Sequence, residues 1–179
     1  TRNFNKTIEE QLALLDEFWS LEENKNEKWT GNKTLQARYY DFMQSKGFLE
    51  GDAEDKPKDA REKTSGLVDI GLIDAGRNLS NAGKSLLKIA SENDFSSNNQ
   101  FQIARDSFIY LKQLLKTHYS IDGRTVRPFM VLIHLLNKFD YLTLDEYTYL
   151  LPLCIGEKEM AEIVDGISML RTGRTSIDE

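Results

Sequence analysis

Ile8, Leu12, Leu15 and Trp19 recur at the three-to-four-residue spacing of one helix face. The spacing predicts an amphipathic helix over 8–23, opened by a T-x-x-E capping box at Thr7 and Glu10 and ended by the polar run ENKNEK. Asn32 is placed to cap a second helix over 32–46. Its face carries Leu35, Tyr39, Phe42 and Met43, and Gly47 supplies a left-handed terminator. Residues 50–60, EGDAEDKPKDA, are charged and without apolar period, and read as an exposed loop. Leu67 and Ile70 give a short helix over 59–70 its apolar side, with Gly71 at its end. Leu72 and Ile73 start a strand, DAGRN supplies a turn, and Leu79 begins the return. Ser80 then caps a helix running through Leu86, Leu87 and Ile89.

Helix, two-stranded ribbon and helix in that order is the layout of a winged helix, with 32–46 as the first half of a helix-turn-helix and 59–70 in the recognition position. A polar linker, SENDFSSNN, follows at 91–99. Phe101, Phe108, Leu111 and Leu115 then mark a long helix ending near His118, with Gly123 in the next turn. Pro128 suits the first turn of PFMVLIHLLNKF, a helix apolar nearly all round and therefore expected at the centre of a core. Thr143 and Glu146 repeat the capping box before a short helix to about 151. Met160, Ile163, Val164, Ile167 and Leu170 trace the last helix. The expected fold is mainly α: tandem winged-helix subdomains with short β-hairpin wings, divided as residues 1–97 and 98–179.

A chain of 179 residues with 40% hydrophobic residues can bury one full core or two small ones. No apolar run approaches the roughly 20 residues that cross a bilayer, and the N-terminus lacks the layout of a signal peptide, which points to a soluble intracellular protein. One cysteine and two histidines leave no Cys/His zinc constellation. The net charge of −6 disfavours diffuse attraction to phosphates, but the charge is uneven along the chain. Nine basic side chains face thirteen acidic ones over 1–60, five face five over 61–100, six face two over 101–138, and three face nine over 139–179. The middle of the chain is the part receptive to an anion.

Few motifs point to catalysis. AGKS at 82–85 is like the tail of a phosphate-binding loop, but the glycine such a loop needs at position 78 is Asn78. A helix start after a wing explains it better. Two Glu-x-Lys triplets, at Glu23 and Glu54, lie in charged loops and arise readily by chance in a chain that is 29% charged. His118 and His134 have no partner motif and read as structural. No Gly-x-Ser-x-Gly or glycine-rich dinucleotide turn is present.

The remaining constellation is basic and polar. Arg61, Lys63, Thr64 and Ser65 fall on the proposed recognition helix, Arg77 and Asn78 at the wing tip, and Lys33, Gln36 and Arg38 on the helix before. Such side chains can contact base edges or fix the phosphate backbone, although a merely solvated helix face is an equally good reading of the residues alone. Lys112, Lys116, Arg124 and Arg127 form a second group that could track phosphates or keep a helix soluble. The last helix carries Glu157, Glu159, Glu162 and Asp165 against Lys158 and Arg171, so pressing it onto phosphates would cost Coulomb energy. The second unit is therefore expected to pack or to bind protein, and the first to read DNA.

KWTGNKTLQARYYDFM, REKTSGLVDIGLIDAGRNLSNAGKSLL, FIYLKQLLKTHY, RPFMVLIHLLNKFDYLTLDEYTYLLPL and MAEIVDGISMLR, in that order from Lys28 to Arg171, resemble the N-terminal recognition region of AlwI-type type IIS restriction endonucleases and related nicking enzymes. The resemblance implies a bacterial, cytoplasmic, modular enzyme. Winged-helix subdomains would recognise a short asymmetric site on double-stranded DNA, and a separate C-terminal nuclease domain would cut outside it with Mg²⁺. By position, Arg61 and Lys63 match basic residues before the family's GL segment, and Lys84 matches the lysine of its AGK element. No catalytic or metal-binding residue is expected in this stretch itself. The alternatives are a tandem winged-helix module for protein contacts and a transcriptional regulator.

Overall fold

The computed structural model describes residues 3–174. It is mainly helical: α1 (Asn3–Ser20), α2 (Lys33–Ser45), α3 (Lys56–Asp69), α4 (Asn81–Glu92) and α5 (Arg105–Lys116) precede strands β1 (Tyr119–Ile121) and β2 (Arg124–Val126). Helix α6 (Pro128–Phe139), a π-type turn Glu146–Leu150, a 3₁₀ turn Leu151–Leu153 and α7 (Glu157–Arg171) complete the order. No described helix is long and apolar enough to cross a membrane. The chain divides into two compact units, Thr1–Gln113 and Leu114–Glu179.

In the first unit, α1 gives Leu12, Leu15 and Phe18 to a core completed by Trp29, by Leu35, Tyr39, Tyr40 and Met43 of α2, by Leu67 of α3, by Leu72 and Ile73, and by Leu86 of α4. Phe18 meets the Tyr39 ring edge-on at 5.0 Å, and Trp29 meets it at 5.7 Å. Complete burial of a side chain such as Phe18 contributes about 1.5–3 kcal/mol. The unit extends past the expected boundary at 97 because α5 packs Ile109 and Tyr110 on this core. Gln113 also donates to the carbonyls of Ile70 and Gly71, 3.0 Å from each.

Several boundaries differ from the sequence reading for local reasons. Helix α1 begins at Asn3, so Thr7 lies within it rather than at its cap. It stops at Ser20 because buried Asn24 folds back and donates to the Phe18 carbonyl at 2.8 Å. Helix α3 starts three residues before 59, within the expected loop. Asp55 caps it by accepting from the Lys58 amide at 3.0 Å, and Pro57 occupies its first turn. The ribbon after α3 is a single antiparallel bridge, Ile73 to Leu79. Asp74 turns the chain at once, accepting from the Asn78 amide at 2.9 Å, and Ser80 already caps α4 by accepting from Gly83, so no length remains for strands. Gly83 has a packing role: a Cβ there would collide with the Leu72 carbonyl oxygen.

The second unit holds a hairpin where only a turn was foreseen. Tyr119 pairs with Val126 and Ile121 with Arg124 around Asp122 and Gly123, both at positive φ (49° and 77°) as a tight primed turn requires. Here the β-ribbon precedes the helices. The capping box at Thr143 and Glu146 forms, each side chain accepting from the other residue's amide at 3.2 and 2.7 Å. Helix α6 is not enclosed as expected. Leu135 is buried with Cys154, Ile163, Val164 and Ile167, whereas Met130, Ile133 and Leu136 are exposed, because so short a unit has too few elements to surround a helix.

Candidate nucleic-acid interface

Helix α3 brings together two of the basic residues singled out in the sequence. Thr64, one turn after Arg61, is fully buried; its hydroxyl donates to the Ala60 carbonyl at 2.8 Å and accepts from Arg77 Nε at 2.8 Å. The turn after Ile73 carries Arg77 at φ 66°, and Trp19 Nε1 donates to its carbonyl at 2.9 Å, tying the turn to α1. Arg77 Nη1 donates to the Ala75 carbonyl at 3.1 Å, and the guanidinium lies over the Trp29 ring, 5.4 Å from its centroid. Arg61 Nη1 donates to Gln36 Oε1 at 2.7 Å. Gln36 is itself buried, with its amide donating to the Trp29 carbonyl at 2.9 Å.

Both guanidiniums are thus held by an amide, a hydroxyl, a carbonyl and an aromatic face, and neither forms an ion pair with a described residue. The Arg77 pKa is lowered, chiefly by burial. Asp69 and Asp74 act the other way, and the nearby Arg61 charge adds to the fall. An arginine remains charged under such a shift. Arg38 follows the same pattern, its Nη1 donating to Oδ1 of buried Asn24 at 2.7 Å.

The other candidates divide by exposure. Gln36 and Thr64, expected among the contact residues, are instead buried where α2 and α3 pack together and support Arg61 and Arg77. Lys33, Lys63, Ser65, Asn78 and Lys84 are exposed. The Ser65 hydroxyl donates back to the Glu62 carbonyl within α3, and the Asn78 amide group donates to the Asp74 carboxylate within the turn, so both are engaged locally. Lys112 and Lys116 are exposed on α5. Trp29 and Asn24 were not foreseen. Their partners lie 48 and 14 residues away, beyond any local pattern.

In the second unit Arg127 is exposed, while Arg124 donates to Glu159 at 3.1 Å and is thereby committed to a carboxylate of α7. Arg171 is likewise engaged. Its Nε and Nη2 meet the two oxygens of buried Glu146 at 2.8 and 2.9 Å, and its guanidinium lies over the Tyr141 ring at 4.2 Å. The Arg171 hydrogen bonds hold the Glu146 carboxyl below the usual range against the opposing effect of burial. Glu157, Glu162 and Asp165 are exposed on α7.

Among the described residues no three His, Cys, Asp or Glu side chains are grouped so as to hold a metal ion. No curated protein and no solved structure matches the chain. The family model described as AlwI restriction endonuclease matches residues 68–179, more than half of the sequence, beginning at the end of α3 and taking in the Arg77 turn, α4 and the whole second unit. The chain belongs to the AlwI restriction endonuclease family.

Proposed function

We propose that the first unit is the double-stranded-DNA recognition module of a type IIS restriction endonuclease. In this reading α2 and α3 form a helix-turn-helix, α3 enters the major groove, and the bridged turn at 73–79 is a minimal wing. The observation that carries it is the set of guanidiniums, Arg38, Arg61 and Arg77, anchored by neutral acceptors. Arg171 is matched directly by Glu146, whereas no described carboxylate lies within ion-pair distance of these three, and Asp69 and Asp74 act on Arg77 only at longer range, which leaves the guanidiniums open to a partner anion. Lys33, Lys63 and Lys84, also exposed, add cations that can meet the phosphate backbone. Recognition is compatible with a net charge of −6 because a contact surface is governed by its local field. Strand scission with Mg²⁺ is assigned to a separate nuclease region.

The second unit is proposed to meet protein. Tyr141, Leu144, Tyr149 and Leu153 are exposed at 58–78%, and the same unit exposes Glu157, Glu162 and Asp165, features suited to a protein partner and, for the carboxylates, repellent to phosphate. Titrating salt against binding of the full chain to a duplex of randomised sequence tests the assignment of the first unit. Affinity should fall steeply with salt, by about 0.9 in logarithmic slope for each phosphate neutralised. Absence of binding even at low salt would refute it and leave protein contact as the function of both units.

A further inference from the structure

The donors of the two arginines on α3 and its following turn are not equally occupied. Arg61 uses Nη1 alone, toward Gln36, so its Nε and Nη2 have no described partner. Those two nitrogens form the side of the guanidinium fork that meets two coplanar acceptors at once. Arg77 has Nε on Thr64 and Nη1 on the Ala75 carbonyl, with one face against Trp29, and Nη2 is the nitrogen without a partner among the described residues. A fork with an open side matches the paired O6 and N7 acceptors of guanine in the major groove; a single free nitrogen matches one phosphate oxygen.

Resting on the DNA-recognition reading above, we infer that the two residues have separate roles, Arg61 specifying a guanine while Arg77 holds the backbone and sets the register. The supports fit this division. The buried Gln36 amide is fixed by the Trp29 carbonyl, so the aim of Arg61 is set by two elements. The Arg77 head is clamped on two sides and over one face, which removes the freedom a base reader would need to align its fork.

The test is selection from a pool of duplexes with a randomised core, bound by the full chain and sequenced, for wild type, Arg61→Lys, Arg61→Met and Arg77→Lys. Wild type should enrich a motif containing guanine. Both Arg61 variants should lose discrimination at one G·C position by about 10-fold or more while still binding the unselected pool. Arg77→Lys should keep every preference and weaken binding uniformly. Arg61→Lys keeps a long charged stem and carries the result if Arg61→Met does not fold by circular dichroism. A full motif retained by Arg61→Lys, or a position lost in Arg77→Lys, would overturn the division of labour and leave DNA recognition standing. A wild-type chain that neither binds the pool nor enriches a motif would overturn both.

Discussion

Replacing Thr64 by valine removes one hydroxyl at nearly constant volume from a fully buried site. Three contacts are lost. Two of them, to the Ala60 and Arg61 carbonyls, share one proton and have little net value, since backbone carbonyls in a helix also accept from its amides. The other leaves Arg77 Nε without its acceptor. A hydrogen bond to a charged group contributes about 1.5–3 kcal/mol, and the half-exposed Arg77 can recover part of that from water, so the net cost is about 1–2 kcal/mol. In a unit of this size that lowers Tm by roughly 4 °C for each kcal/mol. Both tryptophans, Trp19 and Trp29, lie in the first unit, so urea denaturation followed by tryptophan fluorescence reports on it alone. A double-mutant cycle of Thr64→Val with Arg77→Met isolates the contact and should give a coupling of about 1 kcal/mol or more. Coupling below about 0.3 kcal/mol would show that Thr64 does not hold Arg77, and the account of a clamped guanidinium would fail.

Gly83→Ala should cost roughly 3 kcal/mol, because the new methyl meets the backbone of Leu72 rather than a movable side chain; chemical denaturation measures it, and a neutral result would contradict the packing of α4. Leu135→Ala should cost about 2–5 kcal/mol in the small second core and leave the tryptophan signal unmoved, as read by comparing far-ultraviolet dichroism with fluorescence. The depressed Glu146 carboxyl contributes stability that is present above the ordinary glutamate range near ~4.3 and is lost as pH falls through its folded value. Acid titration of the dichroism signal should show this loss, and Glu146→Gln should flatten that limb of the curve while destabilising the unit at neutral pH. Lys84→Ala should leave stability within about 0.5 kcal/mol of wild type and lower the salt slope of DNA binding by about 1.

Where a cap and an apolar period coincide, the chain announces its structure. Asn32 and Ser80 cap α2 and α4 as their positions suggest, and Thr143 and Glu146 close the box read from their spacing. Reading failed where a short polar signal stood inside a charged stretch. Asp55 and Pro57 start α3 within a segment that looks like loop, and Asp122 and Gly123 make a hairpin turn between strands of three residues each. Arg61 and Arg77 could be named from composition and place, but the sequence offers no way to distinguish them. What separates them is which nitrogens are already occupied, and that depends on Gln36, Thr64 and Trp29, brought near by tertiary packing. The same packing turns two expected contact residues, Gln36 and Thr64, inward. Arg124 shows the converse: exposed and basic, it is nonetheless tied to Glu159.

The uncharged character of the anchors around Arg61 and Arg77 has a kinetic meaning. An arginine locked to a carboxylate must release it before a polyanion can take its place, and that exchange adds a barrier to every encounter. Among the described residues no carboxylate is hydrogen-bonded to either guanidinium, so an arriving strand displaces none, and docking speed is set by long-range attraction and by orientation. Sulfate, which competes for the same nitrogens in solution, should then slow capture of DNA more than chloride does at equal ionic strength.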